Sequence, residues 1–284
     1  MPQFQHKGRR ISYRAYGTGE RPIVLIHGLL LNKHMFDRLG PALARRGNRV
    51  ITLDLLGHGE SDRPPEMVNY SMRFFADQVV GLLDHLELDQ AVIGGTSLGA
   101  NTSLTVARDA PERVKGMMIE MPVLDNALLA VGAFFTPILA GLRFGSTPLK
   151  GIAALARRVP RTTPLVDLWL DPMRQDPDPS AAVLEGLFAG AAAPHHDERV
   201  RMNAPTLIIG HRADPIHPFS DSGMLEGELP NARMIEASSI LEWRISPERL
   251  DDELSGFLDD VWTGLGDSGW KPKAAAEAPL RQSR

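Results

Sequence analysis

Short, uninterrupted apolar runs rich in β-branched residues recur along this chain and restrict its possible folds more than any other feature. They lie at residues 22–28, 49–54, 90–94, 114–120, 206–210 and 233–236. A continuous apolar run, in contrast to an alternating one, indicates a strand that is buried on both faces, as in a parallel sheet. Amphipathic helical segments lie between the runs, so the pattern predicts an α/β fold with a mostly parallel, doubly wound sheet flanked by helices.

Three further segments define the predicted domain organisation. Alternating residues 3–6 and 11–15 predict an antiparallel edge hairpin that precedes the buried strands. Residues 122–203 contain no clear strand, and a stretch of this length without structure of its own is uncommon, so we expect a helical lid inserted after the sixth strand. The core is then residues 1–121 and 204–263, and the Gly-, Ala- and Pro-rich residues 264–284 are expected to form a flexible C-terminal tail.

The composition argues against several function classes. Lys and Arg total 31 against 35 Asp and Glu, so there is no basic excess for binding nucleic acid. The chain has no cysteine, which excludes disulfides, Cys-ligated zinc and a cysteine nucleophile. We recognise neither a signal peptide nor an apolar run long enough to span a membrane, and therefore expect a cytoplasmic protein. We also recognise no metal-ligand cluster and no nucleotide motif, so no cofactor is expected.

Residues 95–99 read Gly-Thr-Ser-Leu-Gly and lie between a predicted buried strand and a predicted helix. In this context the pattern predicts a sharp turn that raises the Ser97 hydroxyl above the carboxyl edge of the sheet, where ligands bind. Gly28 and Leu29 lie at the carboxyl end of another predicted strand. The amides of Leu29 and Leu98 are therefore the expected donors to an oxyanion, and Ser97 is the candidate nucleophile, with a Gly/Ser-rich structural turn as the alternative.

These segments, together with Asp54-Leu-Leu-Gly-His-Gly-Glu-Ser-Asp62 and Asp214, resemble the α/β-hydrolase superfamily over roughly residues 8–121 and 204–262. The resemblance implies a triad in the chain order Ser…Asp…His, with Asp214 as the acid. A serine at the turn, where haloalkane dehalogenases and epoxide hydrolases carry aspartate, implies acyl chemistry. His27 and His58 are expected to brace loops, and Asp214 could alternatively form an Asx turn.

The family's histidine is expected after the last strand, near Ile240, but residues 236–247 contain no histidine. A serine hydroxyl is a poor nucleophile without an adjacent base. His217, three residues after Asp214, is our candidate for that base, and His34 and residues 195–196 are the other histidines considered.

The sequence thus predicts a serine esterase that cleaves a carboxylic ester, or a related acyl bond, of a fairly hydrophobic small molecule through an acyl-enzyme. Ser97, Asp214 and His217 would form its triad. The apolar residues of the lid exceed what its helices can bury, which indicates either a substrate pocket or the interface of a homodimer. A ligand-binding protein without a base is one alternative, and a cofactor-free lyase or perhydrolase is another. Glu120, at the end of a strand, is interpreted as structural or as an alternative acid.

Overall fold

The computed structural model describes residues 2–239 and 242–264, and an eight-stranded sheet forms the centre of this part of the chain. Its strands are β1 (Gln3–His6), β2 (Arg9–Tyr16), β3 (Arg21–Ile26), β4 (Asn48–Leu53), β5 (Ala91–Thr96), β6 (Val114–Glu120), β7 (Thr206–His211) and β8 (Ala232–Ala237). Their order across the sheet is β1-β2-β4-β3-β5-β6-β7-β8. The hairpin β1–β2 is antiparallel and forms one edge, whereas the strands from β3 to β8 run parallel to one another.

Some helices of the described residues flank this sheet, and others form one long insertion. They are α1 (Leu39–Ala44), α2 (Met72–His85), α3 (Leu98–Asp109), α4 (Leu128–Phe144), α5 (Ser146–Ala156), α6 (Pro164–Arg174), α7 (Pro177–Phe188), α8 (His196–Arg199), α9 (Phe219–Glu228), α10 (Glu242–Ile245) and α11 (Glu248–Thr263). The five helices from α4 to α8 all lie between β6 and β7. We call this segment the insertion.

The predicted fold class is confirmed. Each continuous apolar run forms one of the strands from β3 to β8, and the edge hairpin and the helical insertion after β6 are where the pattern placed them. The domain limits at 122–203, and the assignment of that segment as a lid, stay predictions. Of the predicted tail, residues 265–284 lie outside the described residues.

The apolar run of β3 is continuous because both faces of this strand are buried. Ile23 and Leu25 belong to the core on one face of the sheet, which includes residues of α1 and α11. Val24 and Ile26 belong to the core on the other face, with residues of α2 and α3. All four side chains are fully buried. Burial of each such side chain contributes about 1.5–3 kcal/mol, so a polar residue at any of these positions would weaken one of the two cores.

Within residues 2–239 and 242–264, no single helix is both long enough and apolar enough to span a membrane. α4 and α5 reach that length and hydropathy only when they are counted together, and the two helices are bent by 98° at the break between them.

Candidate active site

Ser97 occupies the tight turn between β5 and α3. Its backbone has φ 53° and ψ −107°, outside the regions that L-residues ordinarily occupy. A Cβ atom on Gly95 would lie 2.2 Å from the carbonyl oxygen of Ile26, and one on Gly99 only 1.9 Å from it. The turn therefore needs glycine at both positions. The Ser97 amide donates a hydrogen bond to the carbonyl oxygen of Glu120 at 2.9 Å, which ties the turn to the end of β6.

The structure brings Ser97, Asp214 and His217 together. The Nε2 atom of His217 lies 2.9 Å from Ser97 Oγ. Its Nδ1 atom lies 2.8 Å from Oδ2 of Asp214. The side chains of His217 and Asp214 are only 14% and 6% exposed. The nucleophile, base and acid predicted from the sequence therefore form one continuous hydrogen-bonded line.

The loop after β7 holds the acid and the imidazole in place. Asp214 Oδ1 accepts hydrogen bonds from the amides of Ile216 and His217, at 2.8 Å and 2.9 Å. These contacts form an Asx turn, which the sequence offered as an alternative to the role of acid for Asp214. They leave Oδ2 available to the imidazole. Pro215 and Pro218 restrict the backbone on either side. One side chain thus shapes the loop and orients the imidazole of His217.

The charge state of Asp214 determines where the imidazole carries its proton. Burial alone would raise the pKa of Asp214, but the hydrogen bond from the His217 ring, and then those from the two amides, bring it below its ordinary value. An ionised carboxylate only accepts hydrogen bonds, so Nδ1 of His217 carries the proton and donates it. The lone pair of Nε2 is then directed at the Ser97 hydroxyl. This is the protonation pattern that a general base requires.

A cavity of about 360 Å³ contacts Ser97. Leu29 and Leu98, the predicted oxyanion donors, line its sheet side. The Leu98 amide is among the first amides of α3, which have no carbonyl partner within their own helix. The opposite wall comes from one face of α4, with residues at positions i, i+3, i+4 and i+7: Leu128, Val131, Gly132 and Phe135. Most of the remaining lining is apolar as well, which suits an uncharged organic substrate.

The loop that carries Gly28 and Leu29 is braced by a buried histidine. His27 donates from Nδ1 to the Gly28 carbonyl oxygen at 2.8 Å, and its Nε2 accepts from the Leu55 amide at 3.1 Å. Burial lowers the pKa of His27 to about 4, so its ring is neutral at pH 7. His58 packs against it with ring centroids 4.8 Å apart, and burial lowers the pKa of His58 to about 3. Both rings support loops, as expected.

The segment from Asp54 to Asp62 also has a structural role. Asp54 is fully buried and accepts hydrogen bonds from the amide and the Nζ atom of Lys33, at 2.7 Å and 2.5 Å. It also accepts from the Glu60 amide at 2.8 Å. Lys33 follows the Gly28–Leu29 loop, so this buried ion pair fixes the far end of the loop to β4.

The other histidines considered as bases lie elsewhere. His34 bonds to Asp37 at 2.7 Å, and His196 bonds to Glu228 at 2.9 Å. His195 lines the cavity, and its amide donates a hydrogen bond to the Glu198 carboxylate at 2.8 Å. Among the histidines of the described ranges, His217 alone makes a hydrogen bond with Ser97 Oγ. In the same part of the chain, no three His, Asp or Glu side chains are grouped so that they could hold a metal ion.

Sequence reasoning missed a second carboxylate–histidine pair beneath the turn. Glu120 is fully buried, accepts from the Thr96 hydroxyl and lies 3.3 Å from Nε2 of His211. The Nδ1 atom of His211 donates to the Ser239 carbonyl oxygen at 3.1 Å. Burial lowers the pKa of His211, but the interaction with the nearby Glu120 carboxylate outweighs it, and the net shift is upward. Glu120 therefore pairs with His211 and ties β5, β6, β7 and the segment after β8 together.

The segment where the family's histidine is expected has a structural role in its described part. Ile240 itself lies outside the described residues. Trp243 is 2% exposed and donates from Nε1 to Asp251 at 2.8 Å. Glu242 forms an ion pair with Arg249 at 2.8 Å. These contacts anchor α10 to α11.

Comparisons with known proteins agree with this fold. The family model described as alpha/beta hydrolase fold matches residues 21–239. The chain is 27% identical over 230 residues to the AB hydrolase superfamily protein YisY of Bacillus subtilis, a match covering 76% of this chain and 82% of that protein.

Two solved structures are similar over nearly the whole chain. The first is Est816, described as an N-acyl homoserine lactone degrading enzyme, with a TM-score of 0.69 and 26% identity over 90% of this chain and 100% of that one. The second is a meta-cleavage product hydrolase from Pseudomonas fluorescens, with a TM-score of 0.71 and 25% identity over 92% of this chain and 98% of that one.

Proposed function

Because the chain belongs to the α/β-hydrolase fold family, we propose that it is a serine hydrolase acting on a carboxylic ester, or a related acyl bond, of a fairly hydrophobic small molecule. The observation that carries the proposal is the 2.9 Å contact between Ser97 Oγ and His217 Nε2, with Asp214 on the other side of the imidazole. In this proposal, His217 is the base in place of the histidine that the family carries after the last strand. The contact favours catalysis over a purely ligand-binding role.

In the acylation half of the reaction, Ser97 Oγ attacks the carbonyl carbon and its proton passes to Nε2 of His217. The Asp214 carboxylate stabilises the imidazolium that forms. The amides of Leu29 and Leu98 donate to the carbonyl oxygen as it becomes negatively charged. When the tetrahedral intermediate collapses, the leaving alcohol takes the proton from Nε2, and the acyl group stays on Ser97.

Deacylation repeats these steps with water as the nucleophile. Nε2 of His217 accepts a proton from the water as its oxygen attacks the acyl carbon. The second tetrahedral intermediate collapses with return of the proton to Ser97 Oγ. The carboxylic acid product leaves, and both side chains regain their starting protonation.

The cavity supports an apolar substrate. Its α4 wall presents only carbon side chains and a glycine, and Leu29, Leu98 and Met72 also line it. The similar protein Est816 is described as degrading N-acyl homoserine lactones, so we include lactones among the related acyl bonds of this proposal.

The test combines active-site labelling with turnover. A fluorophosphonate probe phosphonylates a serine that an adjacent base activates, so we expect label on Ser97, located by peptide mass spectrometry, and none on the Ser97→Ala variant. p-Nitrophenyl esters of several chain lengths should be cleaved by the wild type but not by that variant. An unlabelled Ser97, with turnover equal to that of Ser97→Ala, would overturn the proposal. Turnover of a non-ester substrate without an acyl-enzyme would instead identify a lyase or perhydrolase.

A further inference from the structure

Helix α4 is apolar around its whole circumference. All 17 residues of the helix are described, and Arg143 is the single charged residue among them. None of the 17 is buried. A helix that is apolar on all sides is normally buried on all sides. The face with Leu128 and Phe135 lines the cavity. Away from it, Leu129 is 88% exposed and Phe144 is 93% exposed. This half of the helix lacks the cover that its composition calls for.

The next two helices also expose apolar stripes. On α5, Ile152 and Leu155 are exposed, three residues apart on one face of the helix. On α6, Val166, Trp169 and Met173 are exposed at positions i, i+3 and i+7. The two helices pack against each other. The exposed residues of α4, α5 and α6 together form what we call the outer face of the insertion.

The outer face is associated with positive charge. Between Asp125 and Asp167 the chain contains no carboxylate side chain and five cations, which are Arg143, Lys150, Arg157, Arg158 and Arg161. The chain as a whole has a net charge of −4, so this excess is local.

Neighbouring helices neutralise some of these cations. Glu185, Asp178 and Asp171 pair with Arg143, Lys150 and Arg161. Within the described part of the chain, Arg157 and Arg158 have no carboxylate within 4.0 Å, and both are exposed. Two unneutralised arginines therefore lie at the end of α5, beside its apolar stripe.

We propose that the outer face of the insertion binds the surface of a bilayer that contains anionic lipid. Exposed Trp and Phe side chains beside arginines are the composition of segments that lie in the membrane interface, with apolar groups among the acyl chains and cations at the headgroups. A second copy of the chain suits the face less well. In a two-fold interface the same patch meets itself, so two patches with the same excess of positive charge would face each other.

The position of α4 connects this surface with the cavity. One side of the helix lines the cavity at Ser97 and the other belongs to the outer face. Bound in this way, the chain would receive apolar esters directly from the bilayer. That consequence rests on the proposed hydrolase function, whereas the binding itself does not.

The test is co-sedimentation of the full chain, as the Ser97→Ala variant, with vesicles of phosphatidylcholine alone or mixed equally with phosphatidylglycerol. We expect binding to the mixed vesicles that weakens as salt is added. Replacing Arg157 and Arg158 by Gln should weaken it roughly 30-fold, since each basic residue near an anionic surface contributes about fivefold. The double variant Leu129→Asp/Phe144→Asp should bind no vesicle measurably.

A matched control places the same charges on exposed apolar residues outside the insertion, as Val68→Asp/Ile245→Asp. It should bind as the parent does, and circular dichroism should show that both double variants are folded. No binding to mixed vesicles, or equal binding by both double variants, would overturn the proposal. So would a lipid-free dimer that Leu129→Asp/Phe144→Asp converts to monomer, because the face would then belong to a second copy. Vesicle binding is measured without turnover, so failure of the hydrolase proposal would be seen separately.

Discussion

His217 lies only three residues from Asp214, so the acid and the base share one loop after β7. The resemblance to the family implies a base after the last strand, on a different loop from the acid. Here a single turn sets the distance between the carboxylate and the imidazole. It is closed by the two hydrogen bonds that Asp214 Oδ1 accepts from backbone amides. The spacing of base and acid is therefore a local property, while the approach of His217 to Ser97 depends on the sheet.

We expect the substitution His217→Ala to lower kcat for a p-nitrophenyl ester by roughly 10²–10⁴-fold, the usual contribution of a general base. KM should change little, because the ring is not required for ground-state binding. Steady-state kinetics with purified variants measure both constants. His34→Ala is the control, since His34 also bonds to an aspartate but has no contact with Ser97, and it should retain wild-type kcat. A loss of less than about tenfold in His217→Ala would be too small for a base.

The pair of Glu120 and His211 predicts a pH dependence of stability. The pKa of His211 is raised in the folded protein, because the interaction with Glu120 exceeds the opposing effect of burial. The charged imidazole then adds to the free energy of unfolding. That contribution is complete below the unfolded pKa of about 6.5 and is lost as pH rises through the higher folded pKa.

We therefore expect the difference in unfolding free energy between the wild type and His211→Asn to be largest below about pH 6.5 and to decrease at alkaline pH. Urea titrations at a series of pH values, followed by tryptophan fluorescence, give this difference. A difference that stays constant from about pH 5 to about pH 9 would contradict the assignment of charge to His211.

At the scale of secondary structure, the strands were predictable and the insertion helices were not. A run such as Ile23–Ile26 is apolar at every position because both faces of β3 are covered, and that pattern is visible in the sequence. α4 is apolar on all sides, so no periodic stripe marks its limits or the face that lines the cavity. Long-range pairs such as Glu120 with His211 depend on the register of β6 and β7, which local sequence does not encode.

The candidate site divides in the same way. Ser97 could be predicted because a local pattern, glycine on both sides of a strand-to-helix turn, produces its geometry. His217 could be proposed as the base because it lies three residues after Asp214 in the sequence. The other histidines remained candidates for the base, because their positions depend on tertiary packing. The apolar run predicts that β7 ends at Gly210, one residue before its observed end. His211 is therefore not recognised as a residue of the sheet edge.

Gly99, in the turn between β5 and α3, can be compared with Gly151, which also lies in a helix. A Cβ atom at Gly99 would collide with the backbone of β3, whereas one at Gly151 in α5 would meet no atom within 4 Å. Gly99→Ala should thus lower the free energy of unfolding by about 1–3 kcal/mol and impair fluorophosphonate labelling of Ser97. Gly151→Ala should raise it by about 0.5–1 kcal/mol, because alanine favours helix. Chemical denaturation measures both, and equal stability of the two variants would mean that the turn does not need this close approach.

In the whole molecule, the site is assembled from two parts of the chain with different roles. The carboxyl edge of the sheet carries Ser97, Asp214 and His217, and the insertion supplies the facing wall of the cavity. In the proposed function, the catalytic groups and the residues that shape the substrate pocket thus lie in separate parts of the chain. A change on α4 should alter which esters are accepted and leave the reactivity of Ser97 intact.

Gly132 and Gly141 on α4 test this separation. A side chain at either position enters open space, but only Gly132 is among the residues that line the cavity. Gly132→Leu should lower kcat/KM for a p-nitrophenyl octanoate by at least about tenfold, since even one methylene in an apolar pocket changes it by 10-fold or more. The acetate ester needs less of the cavity and should lose less than about threefold.

Gly141→Leu adds the same side chain to the same helix away from the cavity lining, so its ratio of octanoate to acetate kcat/KM should equal that of the wild type. Kinetics for both esters with the three proteins decide the point. If Gly132→Leu lowered the two esters equally, the α4 wall would act on the catalytic groups themselves, and the cavity would not be where the acyl chain binds.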